Sequence, residues 1–394
     1  VKAIKVKIYP KKWQKVVLEK HFGCTRFVYN LSLERKVNEY TESKKSISSY
    51  QLQKEITQLK KQDDYSWLKE VNAQSLQQSI IDLDSAFSHF FKKNNSFPKF
   101  KSKYNPKQSF RVPQAFEVSK DKKHIKIPKL KWIRFKDKFN LPTNTEFRNI
   151  TISKEGNEYF ASICYKTEEK EIKQYPIQEN KTLGIDLGVK TLVTFSNGKK
   201  IKNPKHIKKY ENKLAEEQRK LSHKKEVNKK YKESNSYQKQ KLKINKIHKK
   251  IRNTRKDYLH KLTTSLVKSQ NYTSYCMEDL SIENMKENNY SQMNKLISDS
   301  GWRMLRNMLE YKCKDFGKNL ILIGRYEPSS KTCSKCGWIY KELKRSESSW
   351  KCSECGTKHD RDINASINIK NFGIIKSLGK DFTEALAEVR TPCL

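Results

Sequence analysis

Four of the nine cysteines fall in two Cys-x-x-Cys pairs, Cys333 with Cys336 and Cys352 with Cys355, and fifteen residues separate the pairs. That spacing is the pattern of a structural zinc site, in which four thiolates close a tetrahedron and leave no position open to water. Such a site is coupled to folding, with an apparent binding energy of roughly 10 to 16 kcal/mol. Three carboxylates stand where apolar runs end. Asp186 closes the run 182–186, Glu278 follows the run 272–277, and Asp362 lies in His359-Asp360-Arg361-Asp362-Ile363-Asn364-Ala365. Taken singly, each has a plain explanation: a turn residue at a strand end, a surface charge, and a helix N-cap. Taken together they are three carboxylates from separate elements. Two Mg²⁺ ions about 3.5 to 4 Å apart need such a set for in-line attack on a phosphodiester. Oxygen ligands suit a hard ion, and no protein nucleophile is required.

The elements that would carry these acids can be read from periodicity. The runs 182–186, 192–195 and 199–201 read as strands, and Asn197-Gly198 between the last two is a type I′ hairpin signal. A strand that delivers an Asp at its end and pairs at once with a hairpin is how an RNase H-like sheet opens. Further strands are expected at 272–277 and at 320–324, the latter after a helix whose apolar face holds Trp302, Leu305, Leu309 and Phe316. Asp362 would stand at the start of a helix running through Ile367 and Ile369. Residues 201–260 carry 21 Lys or Arg against 6 Asp or Glu. Helical spacing at Tyr210, Leu214 and Leu221, and again at Ile244, Ile247, Ile251, Tyr258 and Leu262, makes this a basic helical hairpin broken at Glu233-Ser234-Asn235-Ser236. Its charge serves either as a solvated face or as a surface that tracks a nucleic-acid backbone.

Toward the N-terminus, Ile4, Val6 and Ile8 alternate with Lys5 and Lys7 as in a strand, and Pro10 stops it. From Trp13 onward Val16, Val17, Phe22, Phe27, Val28 and Leu31 suggest two helices divided near Gly23. Leu76, Ile80, Leu83, Phe87 and Phe90 mark one face of a helix within a helical module over about 48–94. Phe97-Pro98-Lys99-Phe100-Lys101 ends it, either as a base-stacking segment or as a basic linker. Between 108 and 166 short alternating runs at Phe116/Val118, Ile125/Ile127, Ile150/Ile152 and Tyr159/Ala161 describe an antiparallel meander, which the first strand could join.

The composition bounds the partners. The chain has 394 residues, room for two or three domains, and its 84 Lys and Arg against 43 Asp and Glu leave a net charge of +41. A surface of that sign attracts a polyanion, and an aromatic content of 11% is not that of a disordered basic tail. There is no apolar run of about 18 residues, no apolar signal-peptide core and no single basic amphipathic helix, so no membrane partner is expected. The scattered Cys24, Cys164, Cys276, Cys313 and Cys393 do not form a secreted disulfide framework. A cytoplasmic, nucleoid-associated protein is the expectation.

Seven motifs in order, KVKIYP near the start, GCTRFVYN at 23–30, FPKFKSK at 97–103, GIDLGVK at 184–190, MEDL at 277–280, SSKTCSKCG at 329–337 and HDRDINASINI at 359–369, resemble the TnpB family. These are transposon-encoded RNA-guided DNA endonucleases related to the type V CRISPR effectors. The resemblance implies a multidomain α/β protein. A RuvC-like (RNase H-like) nuclease domain would occupy 179–328 and 357–372, including a basic hairpin at 205–268, with a zinc ribbon at 329–356 inserted. A wedge-type β-barrel at 1–10 and 97–178 would hold an inserted helical recognition domain at 11–96, and a tail would follow at 373–394. It implies Asp186, Glu278 and Asp362 as the catalytic Mg²⁺-binding triad; the family's Arg-Asp-x-Asn-Ala motif favours Asp362 over Asp360. It implies Cys333, Cys336, Cys352 and Cys355 as Zn²⁺ ligands. It implies a guide RNA and a double-stranded target DNA, paired as an RNA–DNA heteroduplex, as partners, with one chain per guide RNA. A dense phosphate backbone on both gives the positive charge its use. A compact type V CRISPR effector, an RNA-guided DNA-binding regulator without cleavage, and a transposase performing strand transfer are the competing readings.

Overall fold

A computed structural model of the chain describes residues 1–136, 141–142, 145–167, 172–227, 234–281, 285, 291–344 and 346–379. Cys393 and most of the 373–394 tail, Glu233 in the hairpin break and Arg345 in the ribbon lie outside the described residues. The chain forms two compact units, residues 1–169 and 170–394. No described helix is long and apolar enough to cross a membrane.

The first unit runs β1 (Lys2–Tyr9), α1 (Lys12–Ser43), α2 (Ser49–Leu59), a 3₁₀ turn (Asp63–Glu70), α3 (Ala73–Phe91), β2 (Lys107–Val112), β3 (Glu117–Val118), β4 (His124–Ile127), β5 (Lys131–Phe135), β6 (Phe147–Glu155) and β7 (Glu158–Tyr165). The strands make an antiparallel seven-stranded sheet in the order β2-β6-β7-β1-β5-β4-β3. β1 therefore sits mid-sheet, pairing with β7 from Lys2↔Tyr165 to Ile8↔Tyr159 and with β5 at Ile8↔Phe135. Among the described residues the expected barrel is an open sheet in its hydrogen bonding, with β2 and the two-residue β3 as edges. It bends around one core of Val6, Ile8, Phe110, Val112, Ile125, Ile133, Ile150, Ile152, Ala161 and Ile163. Strands β2 and β5 are additions to the meander read from the sequence.

Helix α1 is not divided at Gly23; it runs unbroken for 32 residues. A helical glycine costs about 1 kcal/mol relative to Ala. That loss is outweighed by buried residues on both sides, each contributing roughly 1.5–3 kcal/mol. Leu18 and Phe22 enter the sheet core, while Cys24 and Val28 join Leu52, Ile56, Leu76 and Ile80 in a helical core. His21 is fully buried where these meet. Its Nδ1 lies 2.8 Å from the Val17 carbonyl and its Nε2 accepts the Asn72 N–H, which fixes a neutral tautomer stacked 4.9 Å from Phe110.

The second unit opens with β8 (Thr182–Leu187), β9 (Thr191–Phe195) and β10 (Lys200–Lys202), followed by α4 (Glu211–Val227) and α5 (Asn235–Lys268). Then come β11 (Ser274–Glu278), α6 (Ser291–Ser300), α7 (Trp302–Asp315), β12 (Asn319–Ile323), β13 (Ser349–Lys351), β14 (Lys358–Asp360) and α8 (Arg361–Ser377). The main sheet has the order β10-β9-β8-β11-β12, antiparallel through β10, β9 and β8, with β11 parallel to both β8 and β12. This is the topology of an RNase H-like sheet. The β9–β10 turn is not type I′. Asn197 keeps negative φ, Gly198 alone is left-handed at +83°, and the Gly198 N–H returns to the Phe195 carbonyl. It is a three-residue loop of type I plus a left-handed glycine.

One face of this sheet packs on α5, α6 and α7 through Leu183, Ile185, Met277, Leu259, Ile297, Trp302, Leu305 and Leu309. Phe316, expected on that helix face, lies past the helix end and is 44% exposed; Met308 and Cys313 are buried instead. The other face packs on α8 through Cys276, Ile323, Ile369 and Phe372. Two glycines let α8 come close. A Cβ at Gly184 would lie 1.9 Å from the Ser366 carbonyl oxygen, and one at Gly373 would lie 2.3 Å from Cys276 Sγ. The basic hairpin is present as α4 against α5, joined by the Gln240 side chain donating to Glu217, with Ile244, Ile247 and Ile251 buried.

Candidate active site and metal centre

The sheet and α8 bring the three acids into one neighbourhood. Asp186 sits near the end of β8 opposite Thr194, Glu278 ends the adjacent parallel strand β11, and Asp362 lies in the first turn of α8, which crosses both strands. The Asp186 carboxyl is pushed up to about 7, first by burial, then by the charges of Glu278 and Asp362. Burial also raises Glu278, against an opposing 2.5 Å hydrogen bond donated by Ser329 Oγ and with added repulsion from Glu327. A buried carboxyl raised by two neighbouring carboxylates marks a site that a cation would relieve.

Neighbouring acids are sorted away from this cluster by their partners. Asp279, next to Glu278, is held by Arg306 and Arg325. Asp360, not Asp362, is the N-cap of α8. Its side chain accepts from the Asp362 and Ile363 N–H groups and pairs with Lys200 at 2.7 Å. The cap explanation considered for Asp362 thus belongs to Asp360, and Asp362 is left to face Asp186, with Arg361 beside it at 3.2 Å. Glu327 was not read from the sequence at all. It accepts from Gly324 N–H through one oxygen, while its other oxygen is buried without a hydrogen-bond partner among the described residues. It follows β12 in a loop with no periodicity to mark it.

The four cysteines form a second centre. Cys333 and Cys355 sulfurs are 3.6 Å apart, as are those of Cys336 and Cys352, and all four lie within 4.8 Å of one another. The edge of a tetrahedron with Zn–S bonds near 2.3 Å is about 3.8 Å, so the donor set fits zinc. Among the described residues it is the only such group that tight; the three acids stand wider apart. Each pair is followed by a left-handed glycine, Gly337 or Gly356, that turns the chain back so that its N–H reaches the carbonyl of the first cysteine. His359 Nε2 lies 3.1 Å from Cys333 Sγ. Trp350 is buried, with its ring 4.6 Å from His359 and 5.7 Å from Tyr340, and packs inside the ribbon.

Asn364 and Asn368, one turn apart on α8, clasp the segment 329–334 that opens the ribbon. Asn364 donates to the Thr332 carbonyl and accepts from the Ser334 N–H; Asn368 donates to the Ser329 and Thr332 carbonyls. Ser329 in turn holds Glu278. The two centres are therefore tied through four residues of backbone. In sequence these asparagines read only as polar positions of a helix; their spacing of four was the available signal.

Residues 162–289 match a family model described as "Probable transposase", residues 302–369 one described as "Cas12f1-like, TNB domain", and residues 1–45 one described as "Helix-turn-helix domain". In this chain 1–45 is one strand and one continuous helix. A Streptomyces pristinaespiralis protein named "Putative RNA-guided DNA endonuclease" is 34% identical over 95% of this chain and 90% of its own length. InsQ of Escherichia coli K12, named in the same way, is 31% identical over 95% of this chain and 92% of its own. Among solved structures, the Cas12f1-sgRNA-target DNA complex aligns over 91% of this chain and 83% of that one, with a TM-score of 0.53 and 17% identity, a likeness of fold alone.

Proposed function

The chain belongs to the TnpB (OrfB) family, and from that premise we propose that it is a transposon-encoded, RNA-guided DNA endonuclease cutting a target beside a short flanking motif. The observation that carries the catalytic reading is the convergence of Asp186, Glu278 and Asp362, where burial, and then the charges of Glu278 and Asp362, lift the Asp186 carboxyl to about 7. Carboxylates from β8, β11 and α8 would hold Mg²⁺, and the fit is favourable because the cation removes the repulsion that the fold imposes. When bound, the ions supply Lewis acidity toward the attacking water and the leaving oxygen of the phosphodiester.

The chain's own residues set the geometry. Gly184 and Gly373 allow α8 to seat against the sheet and carry Asp362 over β8. Ser329 orients Glu278, and Asp360 fixes the helix start while leaving Asp362 free of the capping role. Cys333, Cys336, Cys352 and Cys355 would bind a structural Zn²⁺ that shapes the ribbon, and the clasp by Asn364 and Asn368 transmits that shape to Glu278. The guide RNA supplies sequence recognition by pairing, and the protein supplies charge: +41 over the chain.

The test is to purify the protein expressed with its native flanking DNA, sequence the RNA that stays bound in high salt, and assay Mg²⁺-dependent cutting of a matched duplex. Asp186→Ala, Glu278→Ala and Asp362→Ala should bind guide and target but fail to cut, whereas Asp360→Asn should cut. Cutting by Asp186→Ala, or loss of cutting in Asp360→Asn but not in Asp362→Ala, would overturn the triad assignment.

A further inference from the structure

The segment that follows α3 lies outside all three matched family segments, and its chemistry is unlike that of a plain linker. Four phenylalanines gather there, and a fifth, Phe100, follows three residues after Phe97. Phe87 lies 6.2 Å from Phe91 and edge-on to Phe97 at 5.5 Å, and Phe90 lies 5.3 Å from both Phe91 and Phe97. Phe87 and Phe90 are half-buried and form the base of the nest, while Phe91, Phe97 and Phe100 are 73%, 46% and 62% exposed. So much exposed ring area on a fixed base is costly in water unless something covers it.

The backbone under it is pinned. Pro98 is buried, and the Asn30 side chain pairs with the Lys101 backbone in both directions, donating to its carbonyl at 2.9 Å and accepting its N–H at 2.8 Å. Lys101 Nζ lies 3.6 Å above the Tyr29 ring. The segment thus has a defined path along α1. Around the rings, residues 92–107 contain six lysines and no acid. Among the described residues Lys92, Lys93 and Lys99 have no carboxylate partner. Asn94, Asn95, Ser96 and Ser102 are exposed between the rings and the lysines.

We propose that this nest is a stacking platform for a single-stranded stretch of RNA. Exposed rings offer faces to unpaired bases, unpartnered lysines offer charge to the backbone, and the interleaved amides and hydroxyls offer partners to 2′-hydroxyl groups. A protein partner would meet six like charges around a small apolar centre, and duplex would present no base faces. The proposal deepens the RNA-guided reading and rests on it, yet it concerns a surface of the first unit, whereas the acids belong to the second.

The experiment uses the full chain with an oligouridine carrying 4-thiouridine, irradiated at long wavelength, and maps the adducts by peptide mass spectrometry. Adducts should fall on peptides holding Phe91, Phe97 and Phe100. The triple Phe→Ala variant should lose about tenfold or more of that yield and keep adducts elsewhere, while the triple Phe→Tyr variant retains it. If the triple variant does not fold, Phe91→Ala and Phe100→Ala separately should each lose about fivefold. Adducts confined to other segments would overturn the platform. Equal labelling of these peptides by a 4-thiothymidine oligodeoxynucleotide would overturn the assignment to RNA, and a self-association abolished by Phe→Ala would make the patch a contact between copies. Guided cutting without platform adducts would sink this inference alone; platform adducts without any guided cutting would sink the endonuclease reading alone.

Discussion

Replacing Gly184 by Ala should damage the nuclease unit far more than one methyl group ordinarily does. The added Cβ would stand 1.9 Å from the Ser366 carbonyl oxygen and 2.9 Å from the Lys370 nitrogen, whereas ordinary contact begins at 3.4 Å. These are backbone atoms of α8, so no rotamer change relieves the clash. The helix must retreat by about 1.5 Å, the difference between the two distances. Overpacking of this kind costs about 3 kcal/mol, at the upper end of the usual range. For a unit of this size that lowers the melting temperature by about 6–12 °C. Asp362 rides one turn before Ser366, so the same retreat pulls it from Asp186, and an error near 1 Å in a catalytic group costs about 100-fold in rate. Gly23→Ala is the matched control. Its Cβ would meet only Arg26 at 3.9 Å, and removing a helical glycine should stabilise by about 0.5–1 kcal/mol. Scanning calorimetry and guided cleavage on both variants check the reasoning. A Gly184→Ala protein that melts and cuts like the wild type would refute the close seating of α8.

Three further outcomes follow from the same geometry. Stripping zinc with a chelator, or Cys336→Ser, should release one zinc per chain by elemental analysis, unfold the ribbon and abolish cutting, because roughly 10–16 kcal/mol of folding energy resides in such a site. Asn368→Ala leaves the buried Ser329 and Thr332 carbonyls short of a donor, at about 1–3 kcal/mol; faster hydrogen exchange over 329–334 and faster zinc release should report it. The first unit should lose stability in acid: burial holds the His21 imidazole below its ordinary range, opposed by its hydrogen bond to Val17. The unfolded chain then binds the extra proton first, so stability is complete above about pH 6.5 and falls as the pH drops below it. Denaturant titration across that window should show a slope that His21→Gln reduces.

The clustering of the acids and of the cysteines was legible because the signals are local: runs that end in carboxylates, and a spacing that suits a tetrahedral ion. The strands of the second unit were legible for the same reason, since period-two and apolar runs survive without tertiary information. The errors arose where tertiary packing overrode a local rule. Gly23 looks like a helix end, but Leu18, Phe22, Cys24 and Val28 hold α1 through it. Phe316 has helical spacing, yet the chain turns at Gly317, whose φ of +68° ends the helix. Asn197-Gly198 suggests one turn and makes another because the loop spans three residues. Asp360 and Asp362 could not be assigned by spacing alone; which of them caps the helix depended on where β14 stops. Asn364, Asn368 and Glu327 were not legible, because their function lies wholly in what they touch.

Helix α1 rises about 1.5 Å per residue, so its 32 residues span about 48 Å. Its first half is part of the sheet core and its second half is part of the helical core, with no break or loop between them. The helix is therefore a lever arm rather than a tether. A tilt of about 5° imposed at one end displaces the other by roughly 4 Å over that length. A displacement of the helical core is therefore passed to the sheet along a continuous helix rather than across a loop.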